Sequence, residues 1–281
     1  MDAENVNLKG AEVKLFVDDS YQLGAFRDNE DSLRRLKKQA SVALDLEFEH
    51  LQAAGLTSGA RIMDLGCGPG IVATEIASRS KPRKLVAADC NEKSLSETRS
   101  QFELAGISGA EVKNLNVYDE SLAAHGPFDF VYSRLVFQHL SDPVRAMKNI
   151  HGSLASDGRF CICDIDDRWL NVVPEIKEFK SFIRRVNVAQ SKRGGDRDVG
   201  TKLPHYLKKA GFSDIMSSSL LITTDLIGKE AFCDLVFGYK LEVIPDSELD
   251  TATNELDAIK QSICSEHGWA GVAVLFVSGQ R

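Results

Sequence analysis

The chain has 281 residues, 43% of them hydrophobic and 27% charged, a balance that supports a sizeable buried core and excludes a disordered or fibrous protein. Its formal net charge of −7 gives it no built-in attraction for phosphate backbones, so nucleic acid is not an expected partner. The first nine residues are acidic and lack the apolar run of a signal peptide, and no window is long and apolar enough to span a membrane, so the cytoplasm is the expected location.

In chain order, residues 30–54 carry a helical pattern through Leu33, Leu36, Ala40, Ala43, Leu44, Leu46, Phe48 and Leu51, stopped by Gly55. Ala60–Leu65 is a short buried strand running into glycines. Ile71–Ser80 is a helix, Lys84–Ala88 a strand ending at Asp89, Glu92–Ala105 a helix and Glu111–Val117 a third strand. The turn Gly126-Pro127 introduces a fourth strand, Phe128–Ser133. Pro143–Leu154 is a helix with Ser141 or Asp142 as N-cap, and a turn at Asp157-Gly158 leads into a fifth strand, Arg159–Ile165. This alternation argues a doubly wound α/β fold with a mostly parallel sheet. Beyond Asp167 the pattern changes. Asn171–Ser191 reads as a helix and Ser191–Gly200 as a polar, glycine-rich mobile loop, so residues from about 168 to 200 are expected to form a lid inserted after strand five. Lys202–Ala210, Lys229–Phe237 and Glu248–Ser265 read as helices, and Ser213–Thr224 and Gly271–Ser278 as the last two strands. Six cysteines are scattered without metal-site or redox spacing. Cys161 and Cys163 share one face of strand five and read as free core thiols.

The densest chemical signal is Asp64-Leu65-Gly66-Cys67-Gly68-Pro69-Gly70. Glycines at alternate positions after a buried strand let the backbone turn sharply and approach a ligand, and a helix N-terminus follows. About 20 residues on, Asp89 ends the next strand, where a carboxylate accepts hydrogen bonds from ribose hydroxyls. A nicotinamide fingerprint needs its third glycine three residues after the second, and that position is Ile71. Asp64 would repel a pyrophosphate but suits an ammonium or sulfonium. The spacing therefore speaks against a dehydrogenase.

These residues resemble motif I and the following acidic position of class I S-adenosylmethionine-dependent methyltransferases. Phe128-Asp129-Phe130-Val131, Ser133-Arg134-Leu135, Gln138-His139-Leu140 and the turn at Leu154–Phe160 resemble later parts of that family, with Ser156-Asp157 in place of the more usual Pro-Gly. The resemblance implies a Rossmann-like seven-stranded sheet. Upstream, Tyr21-Gln22-Leu23-Gly24 with Arg35-Leu36 and Gln39 resembles the N-terminal helical cap of small-molecule members. The implied organisation is a cap over residues 1–55 and a methyltransferase domain over 56–281.

The resemblance also implies roles. Gly66 and Gly68 pass the methionine part of S-adenosylmethionine, Asp64 meets its ammonium, and Asp89 binds the ribose. Cys90 and Asn91 flank the adenine, which Asn116 and Val117 contact. Asn116 stands where many members have Asp. Ser133 and Arg134 line the methionine end through backbone groups, and Tyr21 and Gln39 lie against the cofactor. His139 is the candidate general base, with His205 and Tyr206 as weaker candidates. Asp164, Asp166 and Asp167 follow strand five, where they would meet a substrate amine or form a solvated acidic turn. No second cluster matches them, so no metal is expected. A small-molecule acceptor of oxygen, nitrogen or carbon type is the expected substrate. A protein or RNA acceptor would need a docking surface, and the basic group Lys177, Lys180, Arg184, Arg185, Lys192 and Arg193 reads instead as a solvated helix face. A non-catalytic binding protein is the remaining alternative. The intact cofactor positions speak against it.

Overall fold

A computed structural model describes residues 44–281. Of the cap expected over residues 1–55, residues 1–43, with Tyr21 and Gln39 among them, lie outside the described residues.

The sheet has seven strands in the order β3-β2-β1-β4-β5-β7-β6. The strands are β1 (Arg61–Leu65), β2 (Lys84–Asp89), β3 (Glu111–Asn114), β4 (Phe128–Arg134), β5 (Leu154–Val173), β6 (Ser213–Thr223) and β7 (Trp269–Gln280). β1 to β5 pair in parallel, and β7 runs antiparallel between β5 and β6. The helices are α1 (Leu44–Ala53), α2 (Ile71–Ser80), α3 (Glu92–Leu104), α4 (Leu122–His125), α5 (Pro143–Ser153), α6 (Lys177–Lys192), α7 (Leu203–Ala210), α8 (Thr224–Ile227), α9 (Lys229–Phe237) and α10 (Asp246–Cys264). Among the described residues no helix is long and apolar enough to cross a membrane.

Near-continuous apolar strands are what a sheet covered on both faces requires. One face of β1, β2, β4 and β5 carries Met63, Leu65, Val131 and Phe160 against α5 and α7. The other carries Ile62, Leu85, Phe130 and Cys161 against α1, α2 and α3. A third core joins the far ends of β5 and β7 to α6, α9 and α10 through Leu170, Phe182, Phe237 and Ile259. Asp142 caps α5 by accepting the Arg145 N–H at 3.0 Å, with Pro143 in the first turn.

Three expectations are corrected. Strand five does not end at Ile165. After an irregularity between Ile165 and Leu170 it resumes, and Leu170 to Val173 pair with Val272 to Trp269 of β7. The lid helix therefore starts at Lys177 rather than Asn171, and residues 168–173 belong to the sheet. The loop at 191–200 is not a loose polar segment. Arg197, Val199 and Gly200 are buried, and the loop is sewn down by backbone bonds from Asp196 N–H to Gln138 O (2.8 Å) and from Asp167 N–H to Arg197 O (3.0 Å). Strand three is also shorter than expected, ending at Asn114.

Candidate active site

The strand order reverses between β1 and β4, and a crevice opens at the carboxyl ends of those strands, where doubly wound sheets place ligands. One cavity runs from the glycine loop past the segment after β4 to the third core.

At the first end, Gly66, Gly68 and Gly70 all have positive φ, so the loop backbone takes a path that side-chain-bearing residues resist. At Gly66 a Cβ would overlap Val136. At Gly68 a Cβ would meet nothing within 4 Å, so the cradle there is open. Asp89 holds the loop from below, accepting Gly68 N–H at 2.9 Å and Asn91 N–H at 2.8 Å. Burial raises its pKa against those bonds. Asn91 caps α3 by accepting from Lys93 and Ser94 N–H.

Asp64 is 1% exposed inside an otherwise apolar strand, and its Oδ2 has no hydrogen-bond partner among the described residues. Burial, with Glu47 and Asp89 nearby, pushes its pKa up to about 7. A buried carboxylate oxygen without a partner costs about 1–3 kcal/mol or more unless a ligand satisfies it. Glu47 is itself engaged. It accepts from Tyr132 Oη (2.5 Å) and Arg134 Nε (2.9 Å), tying α1 to the end of β4.

Cys90, Asn116, Val117 and Arg134 line this end of the cavity. Asn116 uses its side-chain oxygen to accept Tyr118 N–H at 2.9 Å. Ser133 stands behind the wall, fully buried, with a hydroxyl that has no partner among the described residues. Leu135, next in line, lines the cavity at φ 57, a left-handed conformation that stores strain beside the site.

His139 closes a short 3-10 turn, Phe137–His139, and faces the same cavity. Its Nδ1 lies 3.1 Å from Gln190 Nε2, which also donates to Gln138 O at 3.2 Å. That carbonyl can only accept, so the amide nitrogen is identified and His139 Nδ1 is an acceptor. The neutral ring then carries its proton on Nε2. Burial and the Arg197 charge push its pKa down to about 3.

The acidic residues after β5 are buried rather than solvated, which corrects that expectation. Asp164 accepts Ile165 N–H (2.8 Å) and Gln138 N–H (3.1 Å), and burial lifts it to about 7. Asp166 pairs with Arg168 and Thr201. Asp167 receives the Arg197 fork at 3.0 and 3.1 Å and Lys240 Nζ at 2.9 and 2.8 Å. Burial alone would raise it, but the two cations hold it at about 2. Arg197 also donates to Gln138 Oε1 (2.7 Å) and Tyr239 Oη (2.6 Å). Sequence reasoning did not find Arg197, Gln190, Tyr239 or Lys240. The available signals were a lone lysine inside the apolar run Phe237–Ile244 and an arginine in a glycine-rich loop. His205 and Tyr206 sit on α7 and do not line the cavity.

Two residues of the basic group on α6 are engaged by acids. Lys180 meets Glu175 at 2.5 Å, and Arg185 meets Glu248 and Glu255 of α10.

Residues 56–211 match the sequence model of a family described as Methyltransferase domain. The chain is 24% identical over 168 residues to a ubiquinone biosynthesis O-methyltransferase of Neisseria meningitidis, covering 55% of this chain and 70% of that one. It is 34% identical over 112 residues to the Bordetella parapertussis protein of the same name, covering 39% and 44%. Among solved structures, phosphoethanolamine N-methyltransferase 2 of Haemonchus contortus, in complex with phosphomonomethylethanolamine and S-adenosylhomocysteine, superposes with a TM-score of 0.55 at 18% identity. The match covers 84% of this chain and 52% of that one.

Proposed function

Because the chain belongs to the methyltransferase domain family, we propose that it transfers a methyl group from S-adenosylmethionine to a small-molecule acceptor held at the far end of the same cavity. The observation that carries this is the orphaned Asp64 Oδ2 beneath an open glycine cradle, with Asp89 one strand away. An amino acid ammonium satisfies the first carboxylate and a ribose the remaining acceptor capacity of the second. A pyrophosphate would meet two carboxylates. Asp64, Gly66, Gly68 and Asp89 would hold the cofactor, with Cys90, Asn116 and Val117 at its adenine. When bound, the cofactor supplies a methyl group on a positively charged sulfur.

The protein's share of the reaction is alignment and exclusion of water. The segment from Arg134 to Leu140 walls the cavity between the two ends, and the third core closes the acceptor end with aliphatic side chains. His139 serves as a neutral imidazole positioned by Gln190. Its low pKa and engaged Nδ1 suit a hydrogen-bonding role in place of proton removal.

Calorimetry with S-adenosylmethionine and with NAD tests the main reading: binding of the first and not the second is expected, and the reverse overturns it. In Asp89→Ala the affinity falls about tenfold to a hundredfold, since hydrogen bonds to a charged group are worth about 1.5–3 kcal/mol. For His139→Gln, turnover falls while cofactor affinity is kept, and the wild-type rate shows no histidine ionisation between about pH 5 and 8. A wild-type inflection near 6.5 that this variant abolishes would restore the general-base role.

A further inference from the structure

The acceptor end of the cavity sets one ammonium among aliphatic walls. Among the described residues that wall this end, Asp167 is the only carboxylate, and Lys240 and Tyr239 stand beside it. Asp167 is neutralised by the Arg197 guanidinium through two parallel N–H bonds, a geometry that satisfies a carboxylate by itself. Arg197 does this from behind, since it is 2% exposed and does not line the cavity. Lys240 approaches the same carboxylate from the cavity side. Its side chain is 0% exposed, and the described partner of its ammonium is Asp167, already paired. Of the other nearby acids, Asp164 accepts the neutral Gln138 and Ile165 N–H groups and faces the Arg197 charge, and Asp166 pairs with Arg168 and Thr201. Two N–H bonds to Asp167 and the Tyr239 ring 5.5 Å away leave one N–H of the Lys240 ammonium without a hydrogen-bond partner among the described residues. Around it the walls are aliphatic: Ile222, Leu235, Val236, Val243, Val272 and Val274.

We propose that the methyl acceptor is an apolar molecule bearing one oxyanion, a carboxylate or an ionised phenol, and that Lys240 is the residue that receives it. This rests on the methyl-transfer reading and adds the substrate class to it. Lys240 has a third N–H to give beyond the two directed at Asp167, and an oxyanion is the acceptor that an ammonium N–H bonds most strongly. A neutral molecule of the same shape would fill the aliphatic walls but offer that N–H a weaker acceptor.

The test uses the full chain saturated with S-adenosylhomocysteine and two pairs of probes: octanoate against octanamide, and 4-nitrophenol at pH 8 against 4-nitroanisole. At least one anion is expected to bind about tenfold or more tighter than its neutral partner, as charge-assisted bonds do. Which anion wins identifies the source of the oxyanion. In Lys240→Met, with Asp167 still paired to Arg197, that preference is lost while affinity for S-adenosylhomocysteine is unchanged. Equal binding within both pairs, or an anion preference that survives Lys240→Met, overturns the proposal. If Lys240→Met does not fold, the wild-type comparison still decides. Failure of the wild-type chain to take S-adenosylhomocysteine at all would overturn the methyl-transfer reading instead.

Discussion

Gly66 and Gly68 separate two demands that one motif makes. Both sit at positive φ, 79° and 53°. At Gly66 a methyl group collides with Val136, so Gly66→Ala acts on folding and costs about 1–3 kcal/mol, read from denaturant unfolding. At Gly68 there is room, and Gly68→Ala loses only about 1–2 kcal/mol of backbone preference. Its larger effect, about tenfold or more, falls on cofactor affinity measured by calorimetry, because the new methyl stands in the cradle. Equal stability losses with unaltered binding in both variants would contradict this division. Sequence reading succeeded here because the motif is local: Asp64, Gly66, Gly68 and Asp89 belong to one strand-loop-helix-strand unit. It failed at Asp167 because its partners arrive from 30 and 73 residues away, and no local pattern announces them. A run of acids reads as solvated until its counterions are located.

At the level of elements, the helices and strands up to residue 165 were legible because their hydrophobic periods differ, and both faces of the sheet need covering. The stretch 166–173 was not. Trp169, Leu170, Val172 and Val173 fit a helix start or a strand equally well over so short a span. The decision is made by β7, about a hundred residues later in the chain. This extension matters, because it carries Leu170 and Val172 into the third core and so builds the floor on which α6 and α9 close the acceptor end. Phe182 of α6 is 0% exposed and packs against Phe237 of α9 with ring centroids 6.3 Å apart. Phe182→Ala is expected to cost about 3–5 kcal/mol in unfolding free energy. It should weaken binding of an apolar acceptor more than binding of S-adenosylhomocysteine, whose proposed site is the other end. A loss of cofactor affinity as large as the loss of acceptor affinity would show that the two ends are not separately built.

Over the whole molecule, two buried aspartates give the fold opposite responses to pH, and the cofactor acts on only one of them. Asp64 is raised to about 7 in the folded chain and would sit near 3.8 when unfolded. Below about pH 4 both states hold its proton and burial is not penalised. As pH rises toward 7 the unfolded state ionises while the folded one resists, so the contribution of Asp64 to stability is lost across that window, by up to a few kcal/mol. Asp167 has the reverse sign. It is held at about 2, so its contribution is present above about pH 4 and lost only as pH falls through 2, outside the range of ordinary measurement. A ligand ammonium against Asp64 stabilises the ionised form and removes the penalty that accumulates between pH 4 and 7. Stabilisation by S-adenosylhomocysteine should therefore grow from pH 5 to pH 8, and binding near pH 6 should release a proton, visible as a buffer-dependent heat in calorimetry. Asp164, also raised to about 7, tilts the free protein's curve but not the difference between free and bound, because it lies away from the cavity wall. In Asp64→Asn the free protein gains stability at pH 8, the ligand's effect becomes pH-independent, and affinity at pH 8 falls about tenfold or more. An equal thermal shift at pH 5 and pH 8 in the wild-type chain would mean that the cofactor's charge is met somewhere other than Asp64.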